Sequence, residues 1–149
     1  MLASYVLSAI MLVNPAIDRE KAQEYATTIS AASETYKIDA LLIVAIVSQE
    51  SSFRPVTVYK GGKPFDIGLM QVNRHTAKQY EMDLNRLQHD PDYQIHSGTR
   101  ILADKIKLCK RKPYPWACYH STTEVHKAKY ETMVKRYLLT HTKKRRATK

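Results

Sequence analysis

The sequence predicts a mainly α domain (α+β class) of about six to eight helices with one small β-hairpin. Three observations carry this. Apolar residues recur at three- and four-residue spacing over most of the chain, the mark of amphipathic helices. Only four Gly and two Phe stand among 149 residues, which argues against an all-β fold. A single β-prone run, Val56 to Tyr59, leads into the turn signal Lys60-Gly61-Gly62-Lys63. The length suits one domain with one core. The 44% hydrophobic and 26% charged residues are the proportions of a soluble globular protein.

The elements follow in order. Leu2 to Val13 is apolar but too short to span a bilayer. It reads either as the apolar centre of a signal peptide, with Ala16 at the cleavage site, or as a first helix that stays and packs on the domain. No Lys or Arg precedes it, and Asn14-Pro15-Ala16 is a poor cleavage sequence. The expected organisation is 1–16 as signal peptide or short apolar helix, 17–141 as the folded domain, and 142–149 as a basic tail. Asp18 caps an amphipathic helix to Lys37, with Ala22, Tyr25, Ile29, Ala32 and Tyr36 on one face. Ile38-Asp39 is a corner into the next helix. Asp39 caps it, and the unbroken apolar run Leu41–Val47 puts it in the middle of the domain.

Arg54-Pro55 ends helix propagation. A hairpin over 56–67 follows and brings Asp66 and Gly68 to the mouth of a groove. Gly68 marks a close backbone approach, to a neighbouring helix or to a substrate. Leu69 and Met70 read as core. Asn73 caps a helix to Tyr80, and Asp83–Gln88 is a short helical turn. Asp90-Pro91 is an N-cap with Pro at the first helical position. That helix runs to about Lys110 and lines up Ile95, Leu102, Ile106 and Cys109. Gly98 in its middle costs about 1 kcal/mol relative to Ala and calls for close helix packing. A basic, Pro-interrupted loop leads to a short helix or turn over Trp116–Ser121. Thr123–Leu139 is the last helix, with Tyr130, Val134, Tyr137 and Leu138 as its buried stripe.

Cys109 and Cys118 are too few and wrongly spaced for a zinc site. They are either a reduced buried pair or a disulfide closing the 110–117 loop, the latter in a protein that works outside the cytoplasm. The net charge of +10 suggests a polyanionic partner: nucleic acid, anionic lipid or an acidic wall polymer. Basic residues gather at 105–112 and in the tail, without the interleaved aromatics of single-strand binding, so no nucleic acid is expected. Thr142–Lys149 holds five basic residues and no acid. No repeat, phosphate loop or metal-ligand cluster stands out.

One residue has a chemical position. Glu50 follows Ile43 and Ile46 at helical spacing, so it points along a buried face. A carboxyl in apolar surroundings resists ionising, and the negative end of the helix dipole acts in the same direction. Such a group can serve as a general acid. The plainer reading is an ordinary surface Glu.

Glu50-Ser51-Ser52-Phe53, then Gly68-Leu69-Met70-Gln71, then Tyr119-His120 resemble, in order, the three motifs of lytic transglycosylases of the lysozyme superfamily. Their pattern is E-S-x-F on a central helix, G-L-M-Q, and a Y-N or Y-H pair. The resemblance runs from about Asp18 to Leu139. His96–Leu102 also resembles the corresponding helix of goose-type lysozymes, which share the fold. One departure stands out. Many relatives carry a Ser shortly before G-L-M-Q, whereas this chain has Gly61 to Asp66 there, and goose-type lysozymes have acidic residues near that place.

The resemblance implies a lysozyme-like fold and a peptidoglycan lytic transglycosylase. Such an enzyme cleaves the β-1,4 bond between N-acetylmuramic acid and N-acetylglucosamine and leaves a 1,6-anhydro ring. It implies Glu50 as catalytic residue, and Ser51, Gly68, Met70, Gln71 and Tyr119 as substrate-binding. Asp66 would position water in the alternative, a hydrolysing lysozyme. The reading from another class is a non-catalytic basic module that binds nucleic acid or wall polymer. Without the resemblance Gln71 would be a satisfied core amide, Trp116 packs in the core or stacks on sugar, and His120 is a structural histidine. No cofactor and no metal are expected. The expected partners are peptidoglycan glycan strands, with anionic wall polymers reached through the tail, and the expected state is a monomer. The expected location is periplasmic or exported, the alternative being a phage protein delivered by the virion.

Overall fold

The computed structural model describes residues 2–120, 132 and 134–136. Three helices open the chain: α1 (Leu2–Val13), α2 (Arg19–Tyr36) and α3 (Ala40–Ser51). α1 turns Val6, Leu7, Ala9 and Ile10 inward and packs on α2 and α3. α2 starts where the Asp18 carboxylate accepts the Lys21 N–H at 3.0 Å. It ends on Lys37 in the left-handed region, whose N–H donates to the Ser33 carbonyl. The corner to α3 is as short as the sequence implies, and Asp39 accepts the Leu41 N–H at 2.8 Å. In α3, Ile43, Val44, Ala45, Ile46 and Val47 are at most 2% exposed. Burying each larger one contributes roughly 1.5–3 kcal/mol, so this helix is the axis of the core.

The expected hairpin is present and gains a partner. β1 (Thr57–Lys60) pairs antiparallel with β2 (Lys63–Ile67), and β2 pairs antiparallel with a two-residue strand, β3 (Val72–Asn73). The order is β1-β2-β3. Asp66 lies opposite Asn73, and Ile67 opposite Val72. The loop between these strands carries Leu69 and Met70, both fully buried. The sheet is thereby pinned to the core next to the end of α3.

Two short helices follow, α4 (Arg74–Gln79) capped by Asn73 and α5 (Leu84–His89) capped by Asp83. α6 (Pro91–Leu108) begins with Asp90 accepting the Tyr93 N–H and Pro91 in its first turn. It packs on α2 and α5, and the Thr28 hydroxyl donates to Asp92 at 2.5 Å to tie α2 to its start. The packing that Gly98 calls for is a seat for Met70: a Cβ at Gly98 would lie 2.7 Å from the Met70 Cβ. A 3₁₀ turn, Pro115–Tyr119, lies against α6. Cys109 and Cys118 are joined in a disulfide with Cα atoms 6.6 Å apart, within the range such bonds span. Trp116 is half-buried against the core, its ring 5.7 Å from that of Tyr114.

Residues 134–136 are helical and Val134 is fully buried. Thr132 is helical too, and the remainder of the expected last helix, Ser121 and the tail 142–149 lie outside the described residues. No described helix is long and apolar enough to cross a membrane.

Candidate active site

The four residues at the end of α3 do four different things. Successive residues on a helix point about 100° apart, so neighbours in sequence face different surroundings. The Glu50 side chain, 13% exposed, turns to a groove of about 450 Å³. Ser51 turns inward, its hydroxyl donating to the Leu69 carbonyl at 2.8 Å and to the Val47 carbonyl at 3.2 Å. Ser52 (φ 52°) and Phe53 (φ 61°) both take left-handed backbone, a costly pair of conformations for residues with side chains. They are held there. The Ser52 N–H donates to the Ser48 carbonyl at 3.0 Å, Asn14 donates to the Ser52 carbonyl at 3.0 Å, and Phe53 is buried against the Tyr25 ring. This over-determined stop fixes where Glu50 emerges.

The sheet supplies the floor. Asp66 and Asn73 line the groove as cross-strand neighbours, and Asn73 Nδ2 donates to Asp66 Oδ1 at 3.3 Å. Asn73 also caps α4, its Oδ1 accepting the His75 N–H. Gln71, in left-handed backbone (φ 49°), lines the groove while its Nε2 donates to the carbonyls of Val56 at 3.0 Å and Gly68 at 2.9 Å. Its amide orientation is therefore set by two backbone groups. Gly68 is buried at φ 79°, and a Cβ there would come within 2.6 Å of Gln94 Oε1. Gln94 Oε1 in turn accepts the Leu69 N–H at 3.0 Å. Of the two readings of Gly68, close packing is the one with contacts behind it.

The far wall is the 3₁₀ turn. Tyr119 donates its hydroxyl to the Met70 carbonyl at 2.6 Å, a contact between residues 49 positions apart. Burial pushes its phenol well above the usual value, and the carboxylates of Glu50 and Asp66 add to that. It stays protonated and remains a donor. His120 places Nδ1 3.7 Å from Glu50 Oε1, an ion-pair distance. The Glu50 carboxylate, as acceptor and as neighbouring charge, raises the imidazole above its ordinary value against the opposing effect of partial burial, and Asp66 adds to the rise. The disulfide holds this wall to the end of α6, and Cys118 itself lines the groove.

The groove therefore gathers Glu50, Asp66, Gln71 and Tyr119 from the expected set. Ser51 and Gly68 do not line it. Met70 contributes its carbonyl, through Tyr119, while its side chain is fully buried. Sequence reasoning passed over Asn73, Thr76, Lys105 and His120 as groove residues. Asn73 shows only its capping role in sequence, and Lys105 reads as one more charge on the solvated face of α6. The signal for His120 was its place beside Tyr119 in the third motif. Among the described residues no cluster of His, Cys, Asp and Glu is placed to hold a metal ion.

Residues 27–136 match the Transglycosylase SLT domain family. The chain is 35% identical over 102 residues to the membrane-bound lytic murein transglycosylase C of Edwardsiella ictaluri, covering 63% of this chain and 27% of that protein. It is 34% identical to the protein of that name from Serratia proteamaculans, with the same coverage. It is 33% identical to that of Pectobacterium atrosepticum, of which 28% is covered. The chain thus spans little more than a quarter of the length of these relatives. No solved structure matches it. The mainly helical domain with its small three-stranded sheet, the groove at the end of α3 and the matched span agree, and the chain belongs to the SLT transglycosylase family.

Proposed function

We propose that this chain is a peptidoglycan lytic transglycosylase with Glu50 as its acid–base catalyst. The observation that carries the reading is a largely enclosed carboxyl at the end of a buried helix, facing a groove beside Asp66, Gln71, Tyr119 and His120. A glycan strand in the groove presents its β-1,4 oxygen to Glu50, which protonates it as the C1–O bond breaks. The N-acetyl group of the muramic residue stabilises the cationic centre. Glu50, now a carboxylate, accepts the proton of the muramic 6-hydroxyl, whose oxygen closes the 1,6-anhydro ring. The Gln71 amide is held by Val56 and Gly68 through Nε2, so its Oε1 is the end left for a sugar hydroxyl. The Tyr119 hydroxyl is engaged with Met70 and acts by fixing the wall.

Action on the periplasmic or outer side of the membrane goes with this reading. The disulfide supports it, since such bonds persist outside the reducing cytoplasm. The relatives named membrane-bound murein transglycosylases support it too. Mass spectrometry of muropeptides released by the pure protein tests the reaction. Anhydro ends are expected; reducing ends would mean hydrolysis, with Asp66 positioning the water. Asp66→Asn should cost much less than Glu50→Gln if the 6-hydroxyl is the nucleophile, and about as much if water is.

A further inference from the structure

Among the described residues, the charged or titratable side chains that line the groove are Glu50 from α3, Asp66 from β2, Lys105 from α6, and Tyr119 and His120 from the 3₁₀ turn and its end. Of these side-chain types only histidine ordinarily changes charge near neutral pH. The His120 side chain is 45% exposed, against 13% for Glu50. The imidazole is thus open to solvent protons, while the carboxyl beside it is the more enclosed of the two. The 3.7 Å between Nδ1 and Oε1 is long for a hydrogen bond, and acid–base contacts commonly tighten when substrate binds. The backbone that leads to His120 is anchored by the Cys118 disulfide to the end of α6 and by the Tyr119–Met70 bond to the loop between β2 and β3.

We propose that His120 is the proton reserve of this site: it holds the proton that Glu50 delivers, and it sets the upper pH limit of the reaction. This rests on the reading of Glu50 as the acid–base group. In the resting pair one proton is held, as imidazolium beside carboxylate. Entry of the glycan displaces water, which disfavours separated charges and favours the neutral pair. The proton passes from His120 Nδ1 to Glu50 Oε1. Glu50 gives it to the leaving oxygen, then takes one from the 6-hydroxyl as the new C1–O6 bond forms. That proton returns to His120, so a turnover gains and loses none. His120 touches no sugar atom in this scheme and is a positioning residue acting through Glu50. The pull of Glu50 and Asp66 on the imidazole proton widens the pH range over which the reserve stays filled.

Two measurements on the full chain test this. NMR titration follows the His120 imidazole in the wild type and in Glu50→Gln. It should titrate above ordinary histidine in the first and measurably lower in the second. An ordinary value in both proteins overturns the pair, whatever the protein cleaves. The pH–rate profile of glycan cleavage is then compared with that of His120→Asn. The alkaline limb should move to lower pH by roughly one unit or more, with the rate at the acid side nearly kept. A uniform loss at all pH values, with the limb in place, makes His120 structural and overturns the reserve. A wild type that cleaves no peptidoglycan removes the proposed function and the relay with it, while the titration still reports on the pair.

Discussion

Under the proposed function, a single proton at Glu50 separates activity from its loss. Glu50→Gln keeps the shape and hydrogen-bonding capacity of the side chain, and an amide suits a poorly solvated position at least as well. Cleavage should fall by about 10²–10⁴-fold, with the thermal midpoint nearly unchanged; a folded variant that still releases anhydromuropeptides at the wild-type rate would sink the assignment. Tyr119→Phe leaves the Met70 carbonyl without its donor and should cost roughly 1 kcal/mol in urea unfolding. The raised affinity of His120 for its proton has a sign. The folded state holds the proton more tightly than the unfolded chain, so the pair's contribution to stability is full below the ordinary histidine value. It is lost as pH rises through the folded value. Stability measured against pH should fall across that window, and the fall should vanish in His120→Asn. At this scale the sequence was legible where one side chain has one neighbourhood. Glu50 follows from helical spacing. Ser51 sits one position on and faces the core instead of the groove, which adjacency within a motif cannot reveal. The approach of His120 to Glu50 is a tertiary contact without any period to announce it.

The helices were legible because their ends are written in short side chains. Asp18, Asp39, Asn73, Asp83 and Asp90 each accept a backbone N–H at the helix that follows. Asp90→Ala should therefore cost about 1 kcal/mol. The Tyr93 N–H holds the Asp90 carboxyl below its usual value, against the opposing effect of burial, with Arg86 helping. That part of the stability is present above the ordinary aspartate value and disappears as pH falls through the lowered one. Guanidinium titrations at several pH values would reveal a wild-type slope absent from the variant. Gly98→Ala gains in helix propensity but drives a methyl into Met70. The expected net loss is about 1–3 kcal/mol, and a stabilised variant would show that the seat is loose. β3 escaped the sequence because two residues carry no alternation, and Val72-Asn73 reads equally well as the lead-in to α4. The left-handed Gln71 that turns the chain into β3 gives no signal in its residue type.

For the molecule as a whole, the mainly α fold followed from composition and period, while the groove depended on joining distant parts of the chain. α3 brings one wall, the sheet the floor, and the turn after α6 the other wall. The third is tied back by the disulfide, which closes a loop with a sequence separation of 9. Reducing it should cost roughly 2–3 kcal/mol, measured as a drop in thermal midpoint. No shift on reduction would mean that the loop is equally ordered without the bond. The charge of +10 makes a second expectation. Attachment to an anionic sacculus should weaken as salt is raised, whereas cleavage of short soluble glycans should change much less.

The bond between Cys109 and Cys118 also bears on what a purified sample contains. It sits between a core that α1, α2, α3 and α6 build without it and a wall that carries Tyr119 and His120. Reduced and oxidised chains would then share the same helical signal and differ by only two hydrogen atoms in mass. The difference would appear in turnover. A batch made in a reducing host would be a mixture of competent and slack molecules. Its specific activity would report the fraction with the bond formed, so that thiol counting and enzyme assay become two readings of one number.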